Sequence, residues 1–161
     1  TGDDVADVGN FIVFRDEKGV EFVELGFGDG TILRHLRSLR HVLDSFPFPA
    51  VPTEDHWGRR VLEDASIVSV RLWREGLRPS SRDARTKILA KYLRVLFYRA
   101  GSLGLGLAAL GDLLVEYETR RYGRAQAGRE IREYLADASG RIVALLARDL
   151  GTAPEQVVAP R

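Results

Sequence analysis

From Thr53 to Leu150 the apolar residues recur at helical spacing, and nowhere in that span do they alternate as a strand would. Nearly two thirds of the chain must therefore fold as helices that bury a stripe against one another. Thr53 is a candidate N-cap, with Glu54 and Asp55 in a first turn that favours negative charge. A helix from there carries Val61, Leu62, Ala65, Val68, Leu72 and Trp73 and ends near Glu75, with Gly76 as its C-cap. A second restarts at Pro79-Ser80-Ser81 and runs to about Ala100, where Gly101-Ser102 breaks it. A third places Leu103, Leu107, Leu110, Leu114 and Tyr117 on one stripe and ends at Gly123. Beside that stripe Gly104, Ala108 and Gly111 leave room for a neighbouring backbone. The last, about Ala125 to Leu150, carries Ile131, Leu135, Ala138, Ile142, Leu145 and Leu146, and Gly151 caps it.

The first third reads differently. Phe11–Phe14 is a short apolar run, Asp16-Glu17-Lys18-Gly19 is turn chemistry, and Val20–Leu25 interleaves apolar and acidic residues. This predicts a β-hairpin with one face in the core and one in water. Thr31 caps an expected helix to about Ser45, and Pro47, Pro49 and Pro52 force the next stretch into a loop. The expected fold is α+β, mostly α: an N-terminal hairpin followed by about five helices packed as a bundle. It reads as one domain over residues 1–161, with an acidic hairpin at 1–30, a helix and Pro-rich loop at 31–52, a helical core at 53–151 and a loose tail at 152–161.

Glu24, Gly26, Gly28 and Gly30 stand at the end of the second expected strand, just ahead of a helix. The stretch resembles the first motif of S-adenosylmethionine-dependent methyltransferases, about a dozen residues long. That resemblance implies an acidic strand end, a glycine turn against the cofactor and further parallel strands. The helical spacing after residue 53 leaves no place for those strands, and Asp44, the one nearby acid for a ribose, stands at an expected helix end. A turn is the expected role, and no cofactor is assigned. Gly101 to Gly111 is similar to a dinucleotide fingerprint, but its leucines keep helical spacing and no strand precedes it.

The chain has no cysteine, which excludes disulfides, thiolate nucleophiles and cysteine zinc sites. His35 and His41 are six apart and point to different faces of one expected helix. His56, with Glu54, Asp55, Glu63 and Asp64, fits helix-terminus charge better than a metal site, so no metal is assigned. No Ser-His-Asp signature is present, and the reading leans away from an enzyme. No run of about 18 apolar residues exists to span a membrane, and a cytoplasmic location is expected. With no methionine, Thr1 is read as lying downstream of a translation start. Arginine-rich cations and a single asparagine lean towards a thermophile.

Net charge is +1, yet residues 1–30 balance at −6, so the rest balances at +7. From Arg71 to Arg132 there are fourteen cations against six acids. Arg82, Arg85, Lys91 and Arg94 form one group, and Arg120, Arg121 and Arg124 another whose charges read as largely unopposed. Guanidinium groups grip phosphates in pairs, and Tyr122 could stack on a base. The leading expectation is a non-enzymatic subunit contacting RNA or DNA through these eight residues. The first alternative is an assembly subunit without nucleic acid, binding a protein partner or forming a homo-oligomer. It draws on the wide apolar face of Ile88, Leu89, Tyr92, Leu93, Val95, Leu96 and Phe97. The second, implied by the resemblance, is a methyltransferase-like domain using Glu24, Gly26, Gly28 and Gly30.

Overall fold

The computed structural model describes residues 9–80 and 82–160. It has an antiparallel hairpin followed by five α-helices, an α+β fold dominated by helix. Where the sequence reads as one domain, the residues fall into two compact units, one ending at Phe46 and the other beginning at Pro47.

In the first unit, strands β1 (Gly9–Arg15) and β2 (Glu21–Phe27) pair in register from Gly9 opposite Phe27 to Arg15 opposite Glu21. Asp16 builds the turn: its Oδ1 accepts from the Lys18 amide at 2.9 Å and the Val20 amide at 2.8 Å. Gly19 takes the left-handed conformation that the turn requires. All fourteen strand residues are exposed, so the expectation of one core-facing side is not met. The register pairs Phe11 with Leu25 and Val13 with Val23 on one face, and Phe14 with Phe22 on the other, so neither face is the polar one that the expectation required. With apolar residues on both faces, burying one still leaves the other in water.

Helix α1 spans Asp29–Leu36, far short of Ser45. Ser38, at φ 51°, closes it: the Ser38 amide donates to His35 O and the Leu39 amide to Arg34 O, a Schellman ending built on serine rather than glycine. His41 lies beyond that helix and caps a 3-10 turn at Val42–Ser45, its Nδ1 accepting from the Leu43 amide at 3.1 Å. Asp44, the ribose candidate, instead accepts from the His41 amide at 3.0 Å.

The second unit is helical: α2 (His56–Arg74), α3 (Ala84–Ser102), α4 (Leu107–Tyr122) and α5 (Gln126–Leu150). The caps lie deeper than Thr53 and Pro79 suggested. Asp55 Oδ1 accepts from the Gly58 amide at 2.8 Å, and Asp83 Oδ1 from the Thr86 amide at 3.0 Å. A carboxylate three residues ahead of a free amide outcompetes a more distant hydroxyl. Glycines at positive φ follow all four helices: Gly76, Gly104, Gly123 and Gly151. Gly104 displaces the break expected at Gly101-Ser102, leaving Gly101 inside α3.

Leu62, Val70, Leu89, Leu93, Leu96, Leu110, Leu114, Tyr117, Ile131 and Leu135 form a core with essentially no exposure. The close backbone approach is at Gly128, where an added Cβ would lie 2.8 Å from Val115 N, and Gly111 is instead covered by the stem of Arg132. Ala108 is exposed. Nor is the residue 152–161 segment free along its described length. It forms a 3-10 turn at Pro154–Gln156, buries Val157, and lays its backbone on Gly101, where a side chain would collide with Val158 O at 2.6 Å. The absence of a side chain at Gly101 makes that seat.

Candidate binding surface

The cations singled out in the sequence divide among several places on the helical unit. Arg82 precedes α3, its amide donating to Ser80 Oγ at 3.2 Å. Arg85, in the first turn, pairs with Glu75 at 3.0 Å. These two border a shallow depression at the α2–α3 connection. Lys91 and Arg94 lie elsewhere, on the α3 face that looks towards α5.

There, α3 contributes Lys87, Ala90, Lys91, Leu93 and Arg94, and α5 contributes Tyr134, Ala138, Arg141, Ile142 and Leu145. Each set keeps helical spacing, so each is one face. Between them runs a groove of about 670 Å³. Its accessible floor is largely apolar, from Ala90, Tyr134 and Leu145, over the buried core residues Leu93, Ala138 and Ile142. Lys87 and Lys91 stand exposed on one rim and Arg141 on the other, and none of the three joins an ion pair among the described residues. Arg94 crosses to Asp149 at 3.1 Å and ties the two helices together.

The Arg120–Arg124 cluster is more occupied than its sequence suggests. Arg120 pairs with Glu116 one turn back. Arg74 lies 4.1 Å over the Tyr122 ring, Arg121 stands 6.0 Å from it, and Tyr117 meets it edge-on at 6.5 Å. Tyr122 is thus stacked by its own chain. Arg124 is exposed and borders a smaller cavity of about 250 Å³ with Arg74, Arg78, Glu118 and Glu130. Along the span from Arg71 to Arg132, Arg71, Arg78 and Arg132 also have acidic partners, Glu75, Glu130 and Asp112. The positive balance is real, but acids oppose much of it locally.

The surplus apolar face expected on α3 is mostly consumed by the core. Leu89, Leu93, Leu96 and Phe97 are buried, Tyr92 and Val95 are half-buried, and Ile88 is exposed.

Two polar clusters had no clear sequence signal. Glu118 is fully buried in α4, accepting from Arg74 at 2.6 Å and from the Gly128 amide at 2.8 Å. Ala125 stands at the N-cap of α5 and has no side-chain acceptor, so Glu118 caps that helix from another element. An alanine where a cap belongs was the available hint. Glu130 accepts from the Trp73 indole at 2.7 Å, Arg78 at 2.7 Å and Gln126 at 2.8 Å. The Trp73 and Gln126 hydrogen bonds, then the Arg78 guanidinium, hold its carboxyl below the ordinary range. Burial pushes the Tyr117 hydroxyl upward, with Tyr122 adding to it.

The methyltransferase-like residues do not meet the context that their resemblance implies. Glu24 and Gly26 lie in exposed β2, Gly28 is the N-cap of α1, and Gly30 is buried inside α1. The sheet among the described residues is two antiparallel strands, with no parallel strand after the turn. The Gly101–Gly111 stretch spans the end of α3 and the start of α4. Among the described residues no three His, Asp or Glu side chains gather as metal ligands, and no helix is long and apolar enough to cross a membrane. Comparison with family models, curated proteins and solved structures gives no match.

Proposed function

We propose that this chain is a binding subunit, and that the α3–α5 groove receives an acidic amphipathic helix from a protein partner. The observation that carries the reading is the groove's composition: an accessible floor of Ala90, Tyr134 and Leu145 between rims bearing Lys87, Lys91 and Arg141. A helix lays its apolar stripe in such a floor, and its flanking acids meet the cationic rims. Phosphate backbones need the rims and have no use for the floor.

The second reading is RNA or DNA binding through the basic helices. It is favoured by Arg82, Lys91 and Arg124, which enter no ion pair among the described residues and remain exposed, alongside Lys87 and Arg141. Arg85, Arg94, Arg120 and Arg121 would join them by exchanging internal contacts for phosphates, with Tyr122 stacking only after release from Arg74.

Fluorescence anisotropy separates the two. The probes are a labelled acidic amphipathic peptide and labelled single- and double-stranded oligonucleotides, each across a salt series. Peptide binding that is lost in Leu145→Glu and weakened in Lys87→Glu/Lys91→Glu supports the groove reading. Oligonucleotide binding that falls steeply with salt and survives Leu145→Glu supports the second. Its loss in Arg120→Glu/Arg121→Glu/Arg124→Glu would bring that cluster into the contact. Absence of binding to every probe at low salt refutes both.

A further inference from the structure

We infer that the hairpin is a self-association surface, pairing face to face with the hairpin of a second copy of this chain. The register sorts its side chains cleanly. Phe11, Val13, Val23, Leu25 and Phe27 share one face, ended by Arg15 and Glu21, which pair with each other. These five apolar residues are 53–71% exposed. The opposite face carries Ile12, Phe14 and Phe22 together with Asn10 and Glu24.

Three properties point to a second copy as the occupant. The first is charge. The five-residue face has no uncompensated charge, because Arg15 and Glu21 neutralise one another, while Glu24 lies on the opposite face and Asp16 and Glu17 in the turn. A basic or acidic partner would gain nothing there, and two copies of the face do not repel. The second is self-complementarity: a two-fold axis sets the same apolar patch against itself and buries both at once. The third is area. With aromatic side chains burying about 150–250 Å² when fully covered, two such faces together remove roughly 1,000 Å² from water. That is the lower end of specific interfaces, so the dimer is weak and concentration-dependent. A two-stranded hairpin is marginal alone, and stacking on another sheet supplies what it lacks.

The test is sedimentation equilibrium of the full chain over a range of concentrations. The wild type is expected to double its mass with a dissociation constant on the order of 10–100 µM. Val23→Lys, on the five-residue face, should weaken this about tenfold or more, and Ile12→Lys, on the other face, should leave it within about threefold. Because the chain has no cysteine, single substitutions give clean cross-linking probes. Val13→Cys should form a disulfide-linked dimer on oxidation and Ile12→Cys should not, which tests the geometry even if the charged variants disturb the hairpin. A wild type that stays monomeric at millimolar concentration overturns the inference, as does equal sensitivity of the two faces. The Leu145→Glu groove variant should dimerise normally, so failure of the groove reading and of this one are told apart.

Discussion

Replacing Glu118 by alanine tests the account of the helical unit most directly. The carboxylate is fully buried and has two donors, the Arg74 guanidinium and the Gly128 amide. Its removal leaves that amide unpaired at the start of α5 and strands a charge whose side chain is 24% exposed. Breaking a fully buried pair costs about 3–5 kcal/mol. Solvent reaching Arg74 returns part of that, while the lost cap adds about 1 kcal/mol, so we expect a net loss of about 3 kcal/mol. Urea unfolding followed by far-ultraviolet circular dichroism measures it. With m-values of about 1–3 kcal/mol/M, the midpoint should fall by roughly 1–3 M. Glu116→Ala is the internal control: it removes a half-exposed pair with Arg120 one turn away and should cost under about 0.5 kcal/mol. Glu118→Gln keeps an acceptor for Gly128 and should fall between the two. If Glu118→Ala unfolds within about 0.5 kcal/mol of Glu116→Ala, the carboxylate does not cap α5 as described.

Gly128→Ala should cost about 1–3 kcal/mol in the same assay, because its Cβ would press on the α4 backbone at Leu114 and Val115, which cannot yield as a side-chain tip does. Gly76→Ala meets no atom but must hold φ 85°, so a smaller loss of about 1 kcal/mol is expected. The depressed Glu130 carboxyl contributes stability present above its unfolded pKa, near the ordinary 4.5, and lost as pH falls through its lower folded value. Acid titrations of wild type and Glu130→Gln should converge at low pH; a constant separation between them would refute the linkage. The raised Tyr117 hydroxyl acts at the other end: the unfolded chain ionises near pH 10 and the folded one resists, so stability falls above that pH and Tyr117→Phe flattens the fall.

The helical half was legible because its information is local. Spacing located four helices, and glycines at 76, 123 and 151 marked three ends. Both facts are properties of neighbours in sequence, where side-chain direction and backbone freedom operate. The hairpin was legible for the same reason, through turn chemistry at Asp16–Gly19. The end of helix α1 was not, because a serine held at positive φ closes it without a glycine.

Partnership was what the tertiary structure alone decided. Whether Arg85 and Arg94 are free cations depends on acids 10 and 55 residues away, and only folding sets which of those distances close. The remote cap from Glu118 to α5, the seating of residues 157–159 on Gly101 and the groove between α3 and α5 have the same origin. Sequence spacing fixes which face a residue occupies, and packing fixes what that face meets. Charge count could therefore be read from the chain, while charge exposure could not.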